Sequence, residues 1–286
     1  FRSQCPFRAF ARHRLHARGP EPAEPGLDAA TRGKLVHALL RDIWQWLESS
    51  ERLAALPAEE LEAGVAERAA RVIGEEARFE LDGQPALAAL ERQRLTALAL
   101  EWLQSEGQRQ PFRIRALEHK QERSFAGLEL HLRLDRVDET AGGEVVIVDY
   151  KTGSAGPRAW MGGRPHDPQL PLYLITQPRR EEVAAVAFAL VRAGDMGWAG
   201  RERSPQVLRS TGKAATFKNG WEAQVREWQE VLERLAEDYR AGAAAVDPLP
   251  NVCDTCDLHM LCRIHERTAS LHDPGAEDET GEDDDG

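Results

Sequence analysis

Lysine is nearly missing from this sequence: of its 37 basic residues five are Lys, at positions 34, 120, 151, 213 and 218. Arg stays charged in almost any surroundings, whereas the pKa of a Lys can be adjusted by its neighbours. A Lys kept at the end of an apolar strand in such a chain therefore asks for a chemical reason. Long apolar runs are missing too. None approaches the roughly 20 residues that span a bilayer, and no signal-peptide pattern opens the chain. No membrane role is expected, and a cytoplasmic location is. The initiating Met is absent as well, the chain beginning FRSQCPF, so a longer parent protein is expected. Ser210-Thr211-Gly212-Lys213 lacks the Gly five residues ahead and the Ser/Thr behind that a phosphate-binding loop needs, so no helicase or ATPase is encoded here.

Cysteine is limited to Cys5, Cys253, Cys256 and Cys262. An even count suits disulfides in a small secreted protein. The 286 residues, 42% of them hydrophobic, suffice for a large core without such bridges. The last three cysteines form a C-x2-C-x5-C cluster, a thiolate spacing that suits a soft site, either zinc or iron–sulfur. The net charge of −11 is unevenly spread, since residues 277–285 alone hold seven acids. Residues 1–18, by contrast, carry five Arg and no acid, which permits a nucleic-acid-binding face or a merely solvated arm.

Hydrophobic periodicity gives helices first and strands later. A Pro/Gly-rich linker at 19–26 precedes a helix capped by Asp28 or Thr31 and running to about Glu48. Two more helices are predicted near 58–77 and 86–106. Strands follow at 113–121, 128–139 and 145–151, separated by Gly-containing turns at 126–127 and 141–143 that argue for an antiparallel meander. A helical stretch near 167–177, an apolar strand at 183–191 and a helix at 219–242 complete an α/β fold with a central mixed sheet flanked by helices. The pattern predicts one domain over 1–270: mainly helical at 28–110, a sheet core at 112–192, and a C-terminal helix with the Cys cluster at 219–265. Residues 271–286 read as an acidic disordered tail. Trp44, Trp102 and Trp228 fall at helix-packing positions, while Trp160 and Trp198 fall in predicted loops and are candidates to stack on bases.

The stretch VVIVDYKTG, residues 145–153, ends a buried strand in Asp149-Tyr150-Lys151. Alternation turns Asp149 and Lys151 to one face and Tyr150 to the other. Asp135, at the polar end of the preceding strand, converges on them if the two strands pair. Two close carboxylates repel and need a cation. Mg²⁺, a hard ion that takes oxygen ligands and keeps waters, answers that need and leaves room for a phosphate oxygen. A structural salt bridge between Lys151 and Asp135 answers it equally from spacing alone.

Leu134-Asp135-Arg136-Val137-Asp138, then Val148-Asp149-Tyr150-Lys151-Thr152-Gly153, then Gln169-Leu170-Pro171-Leu172-Tyr173 resemble the PD-(D/E)XK nuclease superfamily, in particular its RecB/AddB-type exonuclease branch. Gly33 and His37 match that branch's upstream G-x-x-x-H helix, and Cys5-Pro6-Phe7-Arg8 its opening motif. The departure is Arg133, where the branch often has Gly. The resemblance implies a restriction-endonuclease-like core. It implies Mg or Mn held by His37, Asp135, Asp149 and the Tyr150 carbonyl, Lys151 as base or electrostatic aid, and Gln169 and Tyr173 on DNA or supporting the site. Glu118 matches a further family acid. The four cysteines would hold a 4Fe–4S cluster that staples the two ends of the domain, with the Arg-rich start beside it. The function implied is a metal-dependent deoxyribonuclease of DNA repair, acting on single-stranded DNA or DNA ends beside a helicase subunit or domain. The contrasting expectation is a non-catalytic DNA-end-binding module stabilised by an iron–sulfur or zinc cluster.

Overall fold

The computed structural model describes residues 3–20, 26–205, 207–208, 216–264 and 266. The acidic tail, the Ser210–Lys213 segment, His265 and most of the 19–26 linker lie outside them. The chain divides into two compact units, Ala23–Glu237 and, from both ends, Phe1–Pro22 with Asp238–Gly286.

In the larger unit, Asp28 caps helix α2 (Ala29–Leu47) by accepting the Thr31 N–H. (Helix α1, Pro6–His13, belongs to the smaller unit.) A short helix α3 (Ser50–Ala55) follows, then α4 (Ala58–Glu76) and α5 (Pro85–Glu106). Strands β1 (Phe112–Phe125), β2 (Leu128–Thr140) and β3 (Val145–Lys151) come next. The turn between β1 and β2 places both Ala126 and Gly127 at positive φ, as a two-residue hairpin turn of matching twist requires. Helix α6 (Gln169–Thr176) crosses over to β4 (Val183–Leu190), β5 (Gly197–Glu202) closes the sheet, and α7 (Trp221–Arg240) follows.

The sheet runs β1-β2-β3-β4-β5, parallel only between β3 and β4. That single parallel pair needs the α6 crossover. β3 and β4 are apolar on both faces because both are covered. One face packs Val146, Val148 and Tyr150 against Leu35, Ile43, Trp44 and Trp102 of α2 and α5. The other packs Val145, Ile147 and Phe188 against Trp160, Leu174 and Trp228. Trp160 and Trp198 are thus both core residues, not the loop aromatics expected from the sequence, and neither is available to a base. Their neighbours explain the difference. Trp160 ends a short 3₁₀ turn at Pro157–Trp160 whose carbonyl accepts the Trp228 indole N–H at 2.9 Å, and Trp198 lies on β5.

A charge network sits inside the helical face. Arg136 is fully buried and grips Asp138 with two hydrogen bonds, at 2.6 and 2.8 Å. It also contacts Glu106 and, at 3.1 Å, the Tyr150 hydroxyl, while its guanidinium lies 4.3 Å over the Trp44 ring. Arg109 reaches Glu106 and Asp138, each at 2.9 Å. Two guanidiniums thus balance two carboxylates. Removing one member leaves an uncompensated buried charge, so Arg136→Met is expected to lower unfolding free energy by about 3–5 kcal/mol, read from urea denaturation. A loss under about 1 kcal/mol would show that the network does not hold the unit together.

Candidate active site and cysteine cluster

Asp135, Asp149 and Lys151 come together where the sheet stops being regular. The β2–β3 ladder pairs Arg136 with Val148 and goes no further. Asp135 would stand opposite Asp149 in the next pair, but its Oδ2 instead accepts the Tyr150 N–H at 3.0 Å. His37 arrives from α2 with Nδ1 3.2 Å from the same Asp135 oxygen, and its ring meets Tyr150 edge-on. Lys151 Nζ lies 2.8 Å from Asp149 Oδ2 and 3.3 Å from Asp167 Oδ2. The alternative Lys151–Asp135 salt bridge is not among these contacts. Asp149 is buried, and the Lys151 ammonium is the ion-pair partner of its Oδ2.

Gln169 starts α6 by donating its backbone N–H to Asp167 Oδ1 at 3.2 Å, which aims its side chain at Lys151 Nζ, 3.4 Å away. Its amide then donates to the Tyr173 hydroxyl at 2.7 Å, and that hydroxyl donates to the Arg133 carbonyl. The i, i+4 spacing of Gln169 and Tyr173 is what lets them touch. Both therefore support the site from behind. A cleft of about 420 Å³ opens in front of His37, lined also by Gly33, Lys34, Arg41, Glu118 and Arg133. A Cβ on Gly33 would meet Thr152 Oγ1 at 3.5 Å, ordinary contact, so packing within the chain does not require this glycine. Glu118 holds Arg41 at 2.9 Å and sits at φ +41° in mid-strand, a conformation a non-glycine residue adopts at a cost.

Arg41 and Asp167 are site residues that the sequence reading missed. Arg41 lies four residues after His37 on α2, so helical spacing was a usable signal. Asp167, two residues before Gln169, had none beyond its acid character.

Electrostatics follow from burial. Asp149's carboxyl is pushed up to about 7, first by burial and then by the Asp135 charge, against the pull of Lys151. His37 is raised: burial works against its charge, but the hydrogen bond to Asp135 and the two carboxylates outweigh it. Lys151, resisting burial, is raised by Asp149 and Asp167. The crowded, buried carboxylates suit a hard cation. Among the described residues no three His, Cys, Asp or Glu side chains stand as a ready-made ion site. Here the donors are engaged by Tyr150 N–H, His37 and Lys151.

In the smaller unit, Phe7 N–H donates to Ala245 O at 3.0 Å and Leu249 N–H to Gln4 O at 2.8 Å, so segments from both ends of the chain are joined. Arg12 pairs with Asp257, which also accepts the Gly19 N–H at 2.9 Å. Cys5, Cys253, Cys256 and Cys262 are all free thiols and line one small cavity with apolar neighbours such as Val252 and Leu258. Burial, then the charges of Cys256, Cys262 and Cys5, push the Cys253 thiol up. Four thiols lining one hollow are a set of soft donors.

Sheet, carboxylate pair and lysine define a class: an α/β domain with a cation-seeking acid cluster at adjacent strand ends. Over residues 3–263 the sequence matches the PD-(D/E)XK nuclease superfamily, and the chain belongs to it. No curated protein matches the chain. The crystal structure of SSO0001 is similar at 12% identity, covering 91% of this chain and 94% of that one with a TM-score of 0.33, and we draw nothing from it.

The raised Asp149 carboxyl has a stability consequence. The folded, metal-free protein binds more protons than the unfolded chain between about pH 4 and about 7, so its stability falls as pH rises through that window. Asp149→Asn is expected to raise the Tm of chelator-treated protein at pH 8 and to change little at pH 4. A variant melting lower than wild type at pH 8 would reverse this assignment.

Proposed function

We propose that the chain is a metal-dependent deoxyribonuclease of the RecB/AddB type, a cytoplasmic DNA-repair enzyme working on single-stranded DNA or DNA ends with a helicase partner. The observation that carries the reading is the Asp135–Asp149–Lys151 cluster. Asp149 is buried, the Asp135 carboxylate crowds it, and the chain's rare lysine lies 2.8 Å from it. A binding module has no use for all three.

His37, Asp135, Asp149 and the Tyr150 carbonyl would hold Mg or Mn. When bound, the ion neutralises charge on the scissile phosphate and lowers the pKa of the attacking water. Lys151, held by Asp149, Asp167 and Gln169, keeps its proton and presents positive charge to the phosphate oxygens as they become more negative. Gln169 and Tyr173 fix that ammonium through the Arg133 carbonyl. His37 must be neutral to ligate, so metal binding releases its proton.

Linear single-stranded DNA with Mg²⁺ or Mn²⁺ tests the assignment. Lys151→Ala and Asp149→Ala are each expected to lower the cleavage rate at least 100-fold while leaving the fold intact by circular dichroism. DNA binding without cleavage by the wild type would instead favour the non-catalytic module.

We further propose that Cys5, Cys253, Cys256 and Cys262 hold a 4Fe–4S cluster. Their shared apolar hollow and mutual electrostatic influence support it. The cluster would fix both chain ends of the smaller unit, a structural role. Anaerobically purified protein is expected to be brown with four irons per chain, and Cys253→Ser to lose them. A colourless protein carrying zinc would refute the cluster.

A further inference from the structure

On the sheet face that carries α6, a cavity of about 360 Å³ opens between the β1–β2 hairpin and the segment leading into β4. The established cleft at His37 does not include it. Its floor is apolar, made by Val137, Val145 and Ile147. Its wall has two unmet polar needs. Gln121 is nine-tenths buried, and its Oε1 receives no hydrogen bond. Two residues along the same strand, the buried Arg123 Nε–H donates to nothing. A buried amide oxygen left without a donor costs about 1–3 kcal/mol, which a donor entering the cavity would offset.

The rim is cationic. Arg115 and Arg179 both pair with Glu182, at 3.0 and 3.2 Å, so one acid is shared by two guanidiniums and Arg123 adds a third. An apolar floor, an acceptor beside a donor, and an excess of positive charge match a nucleobase with its phosphate. Every base has a flat apolar face and an edge on which donors and acceptors sit side by side.

The position fits the same strand of substrate. Ile147 on the cavity floor lies two residues before Asp149 on β3, and Val145 lies six before Lys151. At about 3.3 Å per residue the floor and the reactive cluster are roughly 7–20 Å apart along β3, within reach of neighbouring nucleotides of one strand.

We propose that this cavity is a second nucleic-acid subsite: it takes an unpaired base of the strand cut at Asp149 and Lys151, with Gln121 and Arg123 on the base edge. The inference rests on the nuclease reading above. It accounts for a single-stranded preference, because a base paired in duplex cannot enter.

The test uses the full chain bearing Lys151→Ala to stop cleavage, and a fluorescent mixed-sequence 12-nucleotide single strand. Adding Gln121→Leu is expected to weaken binding about tenfold. Adding Arg123→Ala is expected to weaken it similarly and to make the salt dependence of log K shallower by about one. Gln121→Leu removes an unsatisfied buried amide, so its Tm should match or exceed the parent's, and lost affinity then reports on the site, not on folding. Both substituted proteins binding like the parent, with an unchanged salt slope, would overturn the subsite while Lys151-dependent cleavage by the wild type kept the nuclease reading. A wild type that neither binds nor cuts single-stranded DNA would overturn both.

Discussion

Arg136 brings a full positive charge into a layer shared with Trp44, Phe112 and Tyr150, and it stays only because Asp138 and Glu106, which also hold Arg109, are there to meet it. Such a network contributes little net stability compared with apolar packing, but it is intolerant of misplacement. Arg136 and Asp138 must face the helical layer together. A slip of one residue in β2 would turn both to the opposite face and leave Glu106 with Arg109 alone. The register of β2 is thereby fixed, and the Arg136–Tyr150 contact carries the constraint to β3. With Tyr150 directed into the helices, alternation sends Asp149 and Lys151 to the other side, where the reactive cluster forms.

The cluster itself is assembled from groups that disagree electrostatically. Asp135, Asp149 and Asp167 outnumber the one lysine among them, and His37 joins through Asp135. Protein contacts quiet this disagreement without resolving it, since three acids share one lysine and one imidazole. Under the proposed function such incompleteness is useful, because a cation and a phosphodiester would complete what the fold leaves open.

Helix and strand positions were legible because each element carries its own period: α2 has Leu35, Leu39 and Ile43 on one face, and β2 alternates from Leu128 to Leu134. The Asp149–Lys151 pair stood out because charge at the end of an apolar strand breaks the pattern that surrounds it. Other features were hidden. Trp160 and Trp198 sit in short segments without a period, and their burial depends on Phe188, Trp228 and Trp102, distant in sequence. Helix α1 has eight residues, little more than two turns, too short for a helical period to declare itself. Asp167 and the Arg41–Glu118 pair depend on how elements meet, which no local pattern encodes.

The joining of Gln4 to Leu249 and of Phe7 to Ala245 also has a kinetic side. An isolated helix of eight residues is marginal in water, so α1 gains order only from partners near residue 250. At about 5–20 residues per second, those partners leave the ribosome roughly 10–50 s after α1 does. For that interval Cys5 and the first arginines wait, and the larger unit, whose strands neighbour one another in chain order, has time to fold first. Helix α1, made before its partners near residue 250, is thus among the last segments of these residues to find its place.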